Sequence, residues 1–267
     1  DATAVADNPA RMGTVAAAVA ATHVIWPFGL TASNLAGTYR FDGLGTAGLL
    51  ARVFRANVKG TVETLNGNDG GDAAATDYQT LQVVAGAAPD LSFLREWVPA
   101  VVSAGASGTY VQRSFGGAAR AGLAAGAGLH VQWSEVVGTY AVGRNLGRLG
   151  GEPLPASGAA GVTGTARGLL VGMDRVRGAV EAAWSRAGGA GGAATAEYAL
   201  VGERTELDLR VGYAAGAGGR PARVPTGGAA LRWGGLSLEG ALAPAGDLGW
   251  APVISLSYQP RGEPPER

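Results

Sequence analysis

The sequence predicts an all-β chain that closes into a transmembrane, antiparallel, up-and-down β-barrel of 14 strands. Three observations predict this fold: apolar residues at every second position, charged residues at the positions between, and tryptophans near the ends of these runs. In "LSLEGALAPAGDLGWAPVISLSY", for example, Leu238 and Leu242 share one parity while Ser237 and Glu239 share the other. Strand side chains alternate between two faces. A membrane barrel accommodates both faces, because leucines meet lipid and charges meet the lumen.

Composition excludes several functions. The 267 residues include 46 glycines and no cysteine, only 16% are charged, and the formal net charge is zero. A basic surface for nucleic acid is therefore not expected. No run of about 18 apolar residues is present, so a transmembrane helix is not expected.

The N-terminal segment, residues 1–12, contains the stretch "DNPARMG" with Asn8, Pro9 and Ala10. An Asn side chain can bond to nearby backbone and proline fixes φ, so this motif can seat the segment. We favour a structural role, as a plug or the start of a strand, over a role in gating or ligand binding.

Residues 13–259 divide into fourteen runs of strand length. They are 13–25, 33–42, 45–58, 77–88, 98–113, 119–133, 136–145, 157–168, 171–186, 193–202, 205–214, 226–233, 236–244 and 249–259. Short connections, as at 41–45 and 202–204, largely alternate with longer ones, as at 59–76 and 187–192. Outer-membrane barrels alternate in this way, with short periplasmic turns and longer extracellular loops. Residues 260–267 form a hydrophilic tail.

Charged residues on the polar parity of the later strands predict an ion-pair lattice in the lumen. Unpaired charges could not be buried in a soluble sandwich. The predicted lattice comprises Arg175, Arg177, Glu181, Glu197, Asp208, Arg210, Arg232 and Glu239. A structural lattice is favoured over a selectivity constriction.

The six tryptophans predict aromatic belts, because indole prefers the membrane interface. Alternating topology assigns Trp26, Trp184 and Trp250 to the extracellular end, and Trp97, Trp133 and Trp233 to the periplasmic end.

Catalytic and metal-binding patterns are not recognisable in the sequence. The stretch "NGNDGGDAAATD" (66–77) lacks the spacing and closing glutamate of a calcium loop, and His23 and His130 have no clustered partner. We therefore expect no metal, no cofactor and no enzymatic activity. Inward glycines and alanines indicate close backbone approach inside the barrel, for which the N-terminal segment is one candidate.

Several motifs resemble a known family. "DNPARMG" is similar to the Asn-Pro-Ala motif of the FadL-like outer-membrane barrels. "VGRNLG", with Asn145, Leu146 and Gly147, and the closing "GDLG", with Asp247, Leu248 and Gly249, resemble the PorV/PorQ branch of that group. The stretch "AEYALVGERTELDLRVGYAAG" (196–216) adds to this resemblance, and the matches run in family order from residue 7 to 258.

The resemblance implies a fourteen-stranded barrel in the outer membrane of a Gram-negative bacterium, with the N-terminal segment tucked towards the lumen. Two roles are known in the wider group, and we prefer the PorV-like one, a docking subunit that binds envelope or secreted proteins. The preference is also physical, because the lumen-facing positions look charged and crowded. The alternative is a FadL-like channel for hydrophobic small molecules, and a second alternative is a soluble β-structural protein.

Overall fold

The computed structural model describes residues 2–15, 17–26, 30–58, 76–216, 223–244 and 250–260. Within these ranges the chain forms fourteen long antiparallel strands and a two-residue β-segment, Glu152–Pro153. A one-turn helix, α1 (Ala4–Asp7), and 3-10 helices at Pro9–Thr14 and Ser92–Glu96 complete the regular structure. No helix in the described part of the chain is long and apolar enough to cross a membrane.

The strands follow one another around the barrel in chain order. They are β1 (Ala17–Trp26), β2 (Leu30–Phe41), β3 (Gly45–Val58), β4 (Thr76–Pro89), β5 (Val101–Phe115), β6 (Ala118–Gln132), β7 (Val137–Leu149), β8 (Ser157–Arg167), β9 (Asp174–Ser185), β10 (Gly189–Val201), β11 (Thr205–Gly216), β12 (Arg223–Trp233), β13 (Leu236–Pro244) and β14 (Trp250–Tyr258).

The sheet closes on itself because its first and last strands pair. In this β1–β14 ladder Val19 lies opposite Tyr258 and Val24 lies opposite Val253. Closure leaves no unpaired edge strand, which is what the hydrocarbon of a membrane requires. The predicted fourteen-stranded barrel is therefore confirmed. We call the end where β1 begins and β14 ends the periplasmic end, because its turns are mostly the shorter ones.

The two faces of the β13–β14 hairpin have different surroundings. On β13 and β14, Leu238, Ile254 and Leu256 are exposed on the outside of the barrel. Ala251 of the opposite parity is fully buried inside. The same alternation holds around the barrel, so its outer wall is an apolar surface and fits lipid.

The core lies inside the barrel, not between two sheets. Val5 and Met12 of the N-terminal segment are completely buried, and they pack in one cluster with Leu50 of β3 and Val84 of β4. These apolar side chains fill one side of the periplasmic half of the lumen.

Two local expectations were wrong. Residues 13 and 14 belong to the 3-10 helix that begins at Pro9, so β1 starts at Ala17 and not at 13. The longer connection expected at 187–192 is a tight turn, because β9 and β10 remain paired as far as Ser185 and Gly189. Gly189 has a φ of +75°, a conformation that glycine adopts at little cost.

Candidate functional site: the lumen of the barrel

The N-terminal motif lies against the inner wall. The Asn8 side-chain oxygen accepts a hydrogen bond from the Ala10 backbone N–H at 3.2 Å and so caps the 3-10 helix. Pro9 occupies the first helical position, where its missing N–H costs nothing. Asn8, Pro9 and Ala10 are all buried, and the Asn8 side-chain amide nitrogen has no hydrogen-bond partner among the described residues.

Four inward glycines on four neighbouring strands make room for this segment. A Cβ on Gly48 of β3 would lie 2.6 Å from the Met12 sulfur, and one on Gly86 of β4 would lie 2.9 Å from Val5. A Cβ on Gly105 of β5 would meet the backbone of Pro9 and Ala10, and one on Gly128 of β6 would meet the Asn8 side chain. The segment therefore approaches the wall more closely than any side chain there would allow.

An ion-pair lattice covers the opposite inner wall, on β9 to β13. Arg210 contacts Glu197 at 2.8 Å and Glu239 at 2.7 Å. Arg177 contacts Glu197 at 3.3 Å, which extends the lattice to β9. Of the predicted members, seven are thus brought together: Arg175, Arg177, Glu197, Asp208, Arg210, Arg232 and Glu239.

Asp208 is the centre of the lattice. Its side chain is 0% exposed, and its carboxylate lies 2.9 Å from Arg232, 3.8 Å from Arg210 and 3.9 Å from Arg175. The contacts have the distances of ion pairs without the alignment of hydrogen bonds. Three guanidinium groups around one buried carboxylate offset its loss of water.

The predicted membership of the ion-pair lattice was wrong for two acidic residues. Glu206 was missed, although it lies two positions before Asp208 on the same parity, and it binds both Arg175 and Arg232. Glu181 lies elsewhere: it accepts a hydrogen bond at 2.6 Å from the Tyr140 hydroxyl on β7. Gly161 of β8, between the two strands, permits this because a Cβ there would lie 2.7 Å from that hydroxyl.

The tryptophans divide between the two faces. Trp133, Trp184, Trp233 and Trp250 are exposed at strand ends on the outer face, and Trp97 is exposed beside the Ser92–Glu96 helix. The assignment of Trp26 to an outer belt was wrong. It shares the inward parity of the buried Ala18 and Ala20, and its ring packs edge-to-face on another ring inside the barrel.

Apolar side chains line the lumen near the extracellular end. The rings of Trp26 and Phe54 have centroids 5.8 Å apart, and those of Phe54 and Tyr78 are 5.9 Å apart, all on β1, β3 and β4. Edge-to-face pairs of this kind are favourable beyond their buried area.

A second apolar cluster lies at the same end on β5 to β7. It consists of Val111, Ala124, Leu149 and Leu154. Leu154 reaches it from the β7–β8 connection, where its N–H donates to the Gly147 carbonyl at 2.9 Å. The extracellular half of the lumen therefore carries two apolar patches beside polar groups such as Arg52, which donates to the Asn34 side chain at 2.8 Å. The periplasmic half holds the N-terminal segment and the ion-pair lattice.

The Asn-Leu-Gly motif forms a β-bulge in β7. Between Ala125 and Ala127 of β6 the register shifts, and Asn145 has a φ of +59°. Asparagine tolerates this left-handed conformation better than other residues with a Cβ. Beyond the bulge Leu146 faces outwards. Asp247, Leu248 and Gly249 lie outside the described residues, as do residues 261–267 of the tail and residues 66–75 of the 66–77 stretch, whose last two residues begin β4.

The chain matches no protein-family model and no curated protein. Solved structures do match it. CymD, described as a monoaromatic hydrocarbon channel, has a TM-score of 0.64 at 13% identity, covering 100% of this chain and 94% of that chain. The toluene transporter TbuX of Ralstonia pickettii has a TM-score of 0.59 at 12% identity, covering 97% and 94%.

The toluene transporter TodX of Pseudomonas putida has a TM-score of 0.56 at 11% identity, covering 96% of this chain and 91% of that chain. At these identities the likeness concerns the fold. It does not specifically support the PorV/PorQ branch. The chain thus has the fold of the FadL-like barrels, which are proteins of the outer membrane of Gram-negative bacteria.

Proposed function

We propose that this barrel is a channel for hydrophobic small molecules across the outer membrane. The observation that carries the proposal is the aromatic inner wall formed by Trp26, Phe54 and Tyr78. Such a wall gives apolar solutes a favourable surface inside an otherwise polar envelope. The proposal involves no catalytic step and no cofactor.

The sequence had favoured a docking subunit because the lumen looked charged and crowded. The lattice and the N-terminal segment lie in the periplasmic half, whereas two apolar patches lie in the extracellular half. The fold neighbours described as hydrocarbon channels and toluene transporters support the channel over the docking role. The alternative that the sequence left open is therefore now preferred.

Toluene uptake by a Gram-negative host that expresses the protein tests the channel. Wild-type protein should raise the initial uptake rate above that of cells with an empty vector. Trp26→Ala should lower the rate several-fold, because it removes the first ring of the inner wall. Trp184→Ala is the matched control, since Trp184 faces outwards. Equal rates for the two variants, or no gain with wild type, would refute the proposal.

One feature favours a second function, docking of an envelope or secreted protein. The β8–β9 turn exposes Leu169, Leu170, Val171 and Met173, and Leu170 is 75% exposed. Asp174 holds the turn rigid by accepting from the N–H groups of Leu170 at 2.9 Å and Val171 at 3.4 Å. Exposed apolar patches of this kind mark interaction sites.

Mild-detergent purification with mass spectrometry tests this docking role. A stoichiometric partner should be retained by wild type and by Leu44→Ser, a change in another exposed turn. Leu170→Ser should lose that partner. If wild type purifies without a stoichiometric partner, the docking role fails.

A further inference from the structure

The outer wall carries an apolar groove near the periplasmic end of β14, β1, β2 and β3. Its volume is about 550 Å³, and the residues that shape it include Ala17, Val19, Gly37, Tyr39, Leu49 and Tyr258. This size lies within the range of about 300–1,000 Å³ that is typical of small-molecule sites.

The register explains why the wall is hollow here. Gly37 lies between Val19 of β1 and Leu49 of β3 in one row across the sheet. In the adjacent row Tyr39 lies between Ala17 and Ala47. Small and large side chains therefore alternate, so that Val19 and Leu49 bound Gly37 on the two neighbouring strands and Tyr39 bounds it along β2.

The floor at Gly37 opens outwards. A Cβ added there would meet only the Ala18 carbonyl oxygen, at 3.9 Å. The larger neighbours are exposed to the outside: Val19, Tyr39, Leu49 and Tyr258 are each about half exposed or more. The groove is thus accessible from the membrane and not from the lumen.

We propose that this groove binds one acyl chain of a phospholipid in the periplasmic leaflet. The groove is continuous with the lipid-facing wall, since Leu35 and Leu256 are exposed on the same face of β2 and β14. A hydrocarbon chain suits it because aliphatic and aromatic groups make up most of its lining.

The position of the tyrosines sets the depth of the lipid. Tyr258 is the last residue of β14, and Tyr39 lies two residues before the end of β2. Tyrosine prefers this level of a membrane, where its ring is buried and its hydroxyl reaches polar groups. The headgroup therefore lies beside the two tyrosine hydroxyls, and the chain extends from there along Gly37.

Native mass spectrometry with added dipalmitoyl phosphatidylethanolamine tests the site. In wild-type protein the first lipid should bind at least tenfold more tightly than the second. Gly37→Leu fills the floor and should abolish this difference. Gly240→Leu is the matched control, because Gly240 also faces outwards on β13 with nothing within 4 Å of an added Cβ, and it should bind like wild type.

Two outcomes would overturn the proposal: equal affinities for successive lipids in wild type, which is adventitious lipid only, or a tight first lipid in Gly37→Leu. A heat-dependent gel shift establishes that each variant is folded. Ala47→Leu narrows the same floor from β3 and replaces Gly37→Leu if that variant does not fold. The result is independent of transport, because the site lies on the outer wall.

Discussion

Replacement of Gly105 by valine tests whether the N-terminal segment is held in the lumen by its fit to the wall. A Cβ at Gly105 would lie 2.7 Å from the Ala10 backbone nitrogen, and still closer to the Pro9 carbonyl group. These are backbone atoms, so no change of rotamer relieves the overlap, and the segment must move away from the wall.

The magnitude follows from what the segment buries. Val5 and Met12 are fully buried, and each contributes roughly 1.5–3 kcal/mol to docking of the segment. Overpacking of a tight contact costs about 1–3 kcal/mol. We therefore expect Gly105→Val to weaken docking by about 5- to 150-fold without releasing the segment completely.

Cysteine labelling measures this change directly, because the chain has no cysteine of its own. A Val5→Cys reporter should react slowly with a maleimide in the otherwise wild-type barrel. Its rate should rise by the expected factor when Gly105→Val is added. Gly108→Val on the same strand is the control, since nothing lies within 4 Å of its added Cβ. Equal labelling rates in the two variants would refute the argument.

Three further predictions concern the ion pairs and the backbone. Asp208→Ala removes the central carboxylate, but Glu206, Glu197 and Glu239 still pair with the three guanidinium groups, so the free energy of unfolding in urea titrations should fall by about 1–3 kcal/mol; an unchanged free energy of unfolding would contradict this. Hydrogen bonds from the Ser92 backbone and side chain, and the nearby Arg40 guanidinium, hold the pKa of Asp90 below its ordinary value. The stabilisation by Asp90 is therefore present above about pH 4 and is lost as the pH falls through the lower folded pKa. Protection factors for amide exchange in the Ser92–Glu96 helix, taken against the intrinsic rate at each pH, should fall there, and Asp90→Asn should abolish this pH dependence. Asn145→Gly should be tolerated, whereas Asn145→Val should cost about 1–2 kcal/mol of stability because of the left-handed backbone, and equal stability of the two variants would show that the bulge is not strained.

The ion-pair lattice illustrates how far parity reasoning reaches. Parity identifies which residues face the lumen, and it would have included Glu206 if it had been applied to the whole of β11. It cannot say which inward residues meet, because that depends on the stagger of neighbouring strands. Glu181 shares the parity of Arg177, yet it lies on β9 opposite Ala193 and pairs with Tyr140 across Gly161.

The direction in which Trp26 points could not be predicted from the sequence either. A tryptophan at a strand end is typical of an interfacial belt, but the same position can point inwards when the strand parity requires it. Ala18 and Ala20 are small, so the sequence alone does not distinguish the inner from the outer face of β1. Phe54 and Tyr78, which identify the inner face, come from strands that pairing brings near.

By itself, the sequence determined the number of strands, their approximate bounds and the class of barrel. These properties depend on a period of two along each strand, which is local information. The lattice and the inward N-terminal segment were expected from the sequence, but only the tertiary structure decided where they lie, which charges meet, and that Trp26, Phe54 and Tyr78 form an aromatic patch near the extracellular end. The reason is physical, because the contents of the lumen depend on which residues of different strands reach the same height, and strand stagger is a property of the closed barrel.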